Sequence, residues 1–125
     1  MAATAVTLLS AGVQLDAATG AAVDCSALGS IRMQIDARAS DTGGVDSLSV
    51  FYETGPTNAG PWRQIALEVM SAGTAGANLF THGWGDGTRR TVLDGADNFL
   101  RVRWSARRRS GTLSFGVAGT GILSA

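Results

Sequence analysis

Residues 31–37, Ile-Arg-Met-Gln-Ile-Asp-Ala, carry an apolar side chain at every second position, and the same period of two returns at 48–53, 62–69, 100–106 and 113–117. A period of two turns alternate side chains to opposite faces of an extended strand, so each stretch reads as a strand with one buried and one wet face. Ile31, Met33, Ile35 and Ala37 fall on one side, as do Leu48, Val50 and Tyr52. Ile65, Leu67 and Val69 are expected to face inward from the third stretch, and Leu100, Val102, Trp104 and Ala106 from the fourth, with Arg101, Arg103 and Ser105 outward. Between these runs lie clusters rich in Gly, Asp, Asn, Ser and Pro: "SDTGG" at 40–44, "TGPTNAGP" at 54–61 and "DGADN" at 94–98. Such residues favour turns because Gly tolerates positive φ, Pro presets φ, and Asp, Asn and Ser bond their own backbone.

The N-terminal part adds "AVTLLS" and, after a turn-like "DAATG", the strand-like "AAVDCSAL", whereas the glycine-broken 71–87 offers only a short strand at "NLFTH". About seven or eight short strands at spacings of roughly ten residues imply an all-β, antiparallel β-sandwich of jelly-roll type, with a small barrel as the alternative. The 125 residues suit one domain, 1–125, with 1–9 as a candidate N-terminal arm. Residues 99–119, "FLRVRWSARRRSGTLSFGVAG", read as two strands of matching polarity around "RRRSG". The economical reading is an antiparallel hairpin with Arg107, Arg108 and Arg109 at its tip.

Ten acids balance ten bases, so no net field draws the whole chain to a polyanion or an acidic membrane. All ten bases are Arg, a bias attributed here to GC-rich coding rather than to selection for bidentate contacts. A single cysteine, Cys25, excludes an internal disulfide and reads as a small buried hydrophobe. The opening "MAATAVTLLSAG" has no basic residue ahead of its weak apolar stretch, which speaks against a secretory leader. No run approaches the roughly 18–20 apolar residues of a membrane helix. Synthesis in a cytoplasm is therefore expected.

Chemistry-bearing motifs are scarce. No His-Glu-x-x-His, Gly-x-Ser-x-Gly or phosphate-binding glycine loop occurs, so a non-enzyme without cofactor is the expectation. Asp86, Asp94, Asp97 and Asn98 are hard oxygen ligands of the kind calcium accepts, but they match no defined loop spacing and Asp-Gly is foremost a turn signal. Trp62, His82 and Trp84 are the candidates for holding a sugar ring against an aromatic face. Arg101 and Arg103 read as solvated outer-face residues that pair with acids such as Asp36. At the tip, three adjacent like charges repel, and an anionic partner would remove that cost. A protein surface ranks first as that partner, a merely solvated tip second and nucleic acid last. Nucleic-acid readers usually show basic excess with exposed aromatics interleaved, whereas Trp104 points away from the arginines.

Three stretches taken together, "AAVDCSALGSIRMQIDA" at 21–37, "SLSVFYETGPTNAGPWRQI" at 47–65 and "NFLRVRWSARRRSGTLSFGVAG" at 98–119, resemble small β-rich structural proteins of tailed bacteriophages and prophages, of the head decoration or cement kind. The resemblance implies a virion protein that performs no chemistry, binds the outer lattice of the major capsid protein and self-associates, a trimer being favoured. It implies neither nucleic acid nor membrane as partner. Arg107, Arg108 and Arg109, with an N-terminal segment carrying Ala2, Thr4, Val6 and Leu8, are the expected contact residues. The "ARRRSG" tip departs from the short polar loop usual in such proteins. A carbohydrate-binding sandwich of a tail tip or fibre is the rival reading, and a tail or neck component a third.

Overall fold

The computed structural model describes residues 3–39, 45–71, 87–93 and 95–123. Nine strands lie among them: β1 (Ala3–Val13), β2 (Ala17–Thr19), β3 (Val23–Asp24), β4 (Leu28–Ala39), β5 (Val45–Gly55), β6 (Arg63–Ser71), β7 (Gly87–Leu93), β8 (Phe99–Arg108) and β9 (Leu113–Leu123). They form two antiparallel sheets. The first, sheet A, runs β1-β9-β4-β7, and the second, sheet B, runs β2-β8-β5-β6 with β3 also on β8. Counting β2 and β3 as one strand broken at 20–22, this is the two-Greek-key order of a jelly roll. The all-β sandwich read from the sequence is thus the fold observed.

The alternation does its work as expected in the central strands. Ile31, Met33, Ile35 and Ala37 of β4 and Leu48, Val50 and Tyr52 of β5 are buried, as are Leu100, Val102 and Trp104 of β8. From sheet A, β9 adds Leu113, Phe115 and Val117. Trp104 and Phe115 meet edge to face between the sheets, with ring centroids 5.4 Å apart and planes at 89°. The Trp104 indole N–H donates to the Leu15 carbonyl at 2.9 Å, so the large ring is buried with its polar atom satisfied.

Four expectations need correcting. First, β8 and β9 are not a hairpin: β8 pairs with β5, and β9 with β1 and β4. Matching polarity fits two strands facing each other across a core as well as two side by side, and the Trp104–Phe115 contact is of the facing kind. The segment 109–112 is therefore a corner between sheets. Second, "DAATG" contains β2, paired with Ser105, Trp104 and Arg103 of β8. Third, residues 3–9 are no free arm, because β1 pairs along β9 and buries Val6 and Leu8.

Fourth, β6 is inverted. The register steps from Tyr52↔Ala66 to Glu53↔Gln64, leaving Ile65 as an extra residue opposite no partner. Ile65 still packs on the core, but beyond it Ala66 packs on the core and Met70 is buried, while Leu67 is 44% and Val69 48% exposed. A single extra residue exchanges the faces of everything after it.

Gly119 marks the tightest approach among the described glycines. A Cβ there would run into the Arg32 carbonyl of β4, so only glycine lets β9 lie between β1 and β4. Gly60, with φ of +88° ahead of a cis Pro61, turns the 56–62 loop back so that Trp62 lies beside β8.

Candidate functional site

Among the described residues, the outer face of sheet B gathers arginines, aromatic rings and exposed aliphatic side chains on one surface. Glu53 stands directly across from Arg101, and Phe51 from Arg103. The Arg101 Nε donates to Glu53 Oε1 at 2.8 Å, and the Arg103 Nε approaches Oε2 at 3.5 Å. The Arg101 guanidinium carbon sits 4.2 Å from the centre of the Trp62 ring, and that of Arg103 4.0 Å from the centre of Phe51. The result is a ladder, Trp62–Arg101–Glu53–Arg103–Phe51, in which each planar cation is fixed by a carboxylate edge-on and a ring face-on. Such double anchoring removes rotamer freedom before any partner arrives. Glu53 is only 9% exposed, so the carboxylate is the buried hub and the guanidinium rims face solvent.

The inverted β6 extends this face with Leu67, directly opposite Phe51, and Val69, opposite Ser49. Arg107 follows Arg101, Arg103 and Ser105 on the same row of β8, since successive outward residues are two apart. Arg101 to Arg107 spans roughly 20 Å of strand. Three guanidiniums, two aromatic rings and two exposed aliphatic side chains thus share one surface, with one carboxylate among them. Arg, Trp and Phe are residue types enriched at protein–protein interfaces.

Of the residues singled out from sequence, Arg101 and Arg103 do lie outward, but their acid is Glu53 and not Asp36. Asp36 belongs to the other sheet, where Gln34 donates to it at 2.9 Å. The three tip arginines part company. Arg108 pairs with Asp16 at 2.9 Å and also donates to the Gly111 carbonyl, and Arg109 pairs with Asp46 at 2.9 Å. Internal acids therefore offset most of the repulsion that an outside anion was invoked to relieve. Arg107 is exposed, with no ion pair among the described residues. Thr4 and Val6 line a groove beside β1, and Leu8 is in the core. Ala2, His82, Trp84, Asp86 and Asp94 lie outside the described residues, as do the turn at 40–44 and the "NLFTH" strand. Asp97 is exposed, and its backbone N–H donates to the Thr54 hydroxyl at 2.7 Å. Trp62 offers a sugar only one ring face, since Arg101 covers the other.

Glu53 and Phe51 were visible as the outward residues of "LSVFYE", and an aromatic on a polar row was the available signal. Leu67 and Val69 left none, because the bulge that turns them out depends on pairing with β5.

Two buried titratable groups sit away from this face. Burial, and then the neighbouring Asp24 carboxylate, raises the Cys25 thiol above its ordinary value of 9.0, so it is a poor nucleophile at neutral pH. The Tyr52 hydroxyl is fully buried and without a hydrogen-bond partner among the described residues. Burial chiefly, with the Glu68 carboxylate adding, raises its pKa strongly. The nearby Thr91 hydroxyl, which donates to Glu68 at 2.8 Å, opposes that shift. No group of three or more His, Cys, Asp or Glu able to hold a metal occurs among the described residues.

No protein-family profile and no curated protein matches this sequence. Among solved structures, the chain is similar to infectious bursal disease virus VP2 in its subviral particle, with a TM-score of 0.53 and 11% identity over 95% of this chain and 32% of that one. A structure of the Gx strain of the same virus is similar at a TM-score of 0.51 and 10% identity, again over 95% and 32%. A carbohydrate-binding module of Cellvibrio mixtus lichenase 5A, in complex with cellotriose, is similar at a TM-score of 0.42 and 12% identity, over 98% and 88%. The chain spans about a third of the length of the viral chains it matches. What it shares with them is the fold, a viral capsid-like β-sandwich.

Proposed function

We propose that this chain is a structural component of a virion, a decoration or cement protein of a tailed phage head that binds the outer face of a capsid lattice and stiffens it without catalysing a reaction. The observation that supports it most is the jelly roll itself, matched along 95% of the chain by a protein of a viral particle. The resemblance of three sequence stretches to phage structural proteins narrows the reading to tailed phages. The outer face of sheet B is the contact surface in this reading. Its fixed guanidiniums suit an acidic partner, and Phe51, Leu67 and Val69 supply the apolar area that charge pairs alone lack. Arg107 extends the same row, while Arg108 and Arg109 serve the corner between sheets.

Fractionation of particles into heads and tails, followed by mass spectrometry, tests the location. The chain is expected with heads, and its recovery with tails or only in the soluble fraction would overturn the decoration reading. Co-sedimentation with empty capsids is expected to weaken as salt rises, because exposed charges steer and hold the partner. Replacing Arg107 by Ser should weaken it further, whereas Arg108→Ser with Arg109→Ser should change it little. The reverse pattern would return the contact to the corner.

A further inference from the structure

Among the described residues, the sandwich has unpaired edges at β1 and β7 of sheet A, and at β6 and the broken β2/β3 strand of sheet B. Natural sheets blunt such edges, because a row of unpaired N–H and C=O groups recruits any other strand. Three of these four edges are blunted in the sequence. β7, "GTRRTVL", carries two adjacent arginines, β6 carries Arg63 and Glu68, and β2 and β3 are three and two residues long. The fourth is not. β1, "ATAVTLLSAGV", is eleven residues long with no charge and no proline.

Within β1 the two halves differ. Register shifts fall between Thr7 and Leu9 and between Leu9 and Gly12, so the second half is bulged, while Ala3 to Thr7 pairs with β9 residue for residue. Bulges spoil an edge for pairing, and a regular run offers it. The regular run is also the part that lines a groove of about 330 Å³, whose far wall is Val23, Asp24 and Ser26 to Leu28. Backbone groups, regular geometry and room for a neighbour therefore coincide at Thr4–Thr7.

We propose that this edge pairs with itself: Ala3–Thr7 of one copy lies antiparallel to Ala3–Thr7 of a second copy about a two-fold axis, joining two four-stranded sheets into one. Charge fits a second copy as the occupant: β1 meets its own copy with only Ala, Thr and Val, whereas self-pairing of β7 would bring the arginines of the two copies close together, which is destabilising. Centred near Ala5, the pairing sets Thr4 of one copy opposite Val6 of the other on the core side and Ala5 opposite Ala5 on the outer side. The contact is isologous and closes as a dimer, not as the trimer expected from sequence. It stands on the edge alone and does not depend on the virion reading.

Sedimentation of the full chain over a range of concentrations tests it. The unaltered chain is expected to form a dimer. Ala5→Lys, at an exposed outward position, places two ammonium groups across the axis and should raise the dimer dissociation constant by at least about tenfold. Its circular dichroism spectrum should be unchanged. An equimolar mixture of Ala5→Lys and Ala5→Glu should restore dimers. A chain that stays monomeric at every concentration, or an Ala5→Lys protein that associates like the original, overturns the proposal. So does a monomer whose capsid binding is lost on Ala5→Lys, since the edge then takes another protein's strand.

Discussion

The two outer faces of the sandwich cover the same core with different materials. On sheet A, Gln34 sits at the centre of a polar lattice, donating to Asp36 and accepting from the Arg90 Nε at 3.0 Å. The exposed Val13, Val92 and Ile122 of sheet A lie on three different strands, β1, β7 and β9; Val13 pairs with Ser114, at the opposite end of β9 from Ile122, and β4 separates Val92 from both. On sheet B, Leu67 and Val69 are two residues apart on one strand, Leu67 lies opposite Phe51, and arginines are stacked on Phe51 and Trp62. Isolated exposed aliphatics are ordinary, and contiguous ones beside fixed aromatics and cations suit the contact face proposed above. On sheet B a bulge in β6 turns Leu67 and Val69 to solvent together, beside Phe51.

The largest effect should come from beneath either face. Trp104→Ala removes the ring that spans the sheets and should cost about 3–5 kcal/mol in denaturant unfolding. A loss below about 1 kcal/mol would mean that the layers are not joined there. Next comes the hub of sheet B. Glu53→Gln leaves two guanidiniums without their carboxylate and should cost roughly 1–3 kcal/mol. Gln34→Ala, at the hub of sheet A, should stay within about 0.5 kcal/mol because its bonds are exposed. Equal losses would erase the distinction between a preorganised face and a merely wet one.

Alkaline titration sharpens the contrast inside the core, where Tyr52 belongs to sheet B and Cys25 follows β3 at its edge. Both folded pKa values are raised, so the native state keeps protons that the unfolded chain releases above the ordinary values of 9.0 and 10.0. With more protons bound in the native state, stability falls as pH rises beyond about 9. Tyr52→Phe should leave stability at neutral pH within about 1 kcal/mol, since the hydroxyl has no partner to lose, and should remove the part of the decline that begins near pH 10. An unchanged alkaline slope in that variant would assign the loss elsewhere. The smallest effect on stability belongs to the exposed pair. Leu67→Ser with Val69→Ser should shift unfolding by no more than about 0.5 kcal/mol per site while reducing capsid co-sedimentation, and Val92→Ser should alter neither.

Legibility varied strand by strand, for physical reasons. β4, β5 and β8 are interior strands with a clean period of two, and their buried residues were read correctly because no register choice remained once one face was apolar. β6 had two acceptable phases, Ile65/Leu67/Val69 or Ala66/Glu68/Met70. The decision lay in pairing with β5, which no local pattern records. Arg101 and Arg103 were correctly placed outward, yet their partner could not be named, because Asp36 and Glu53 are equally good acids until the sheets are assigned. Arg108 and Arg109 looked like a free cationic tip because Asp16 and Asp46 are remote in sequence and near only in the folded chain.

The sequence by itself determined the class of fold, the residues of the central core and the outward row of arginines, since alternation and turn residues act over a few positions. Tertiary structure alone decided that β8 and β9 face each other across the core, which phase β6 takes, which acid each arginine meets and which sheet edge stays open. Those outcomes depend on pairing between strands far apart in the chain, and a period of two is blind to which strand lies alongside.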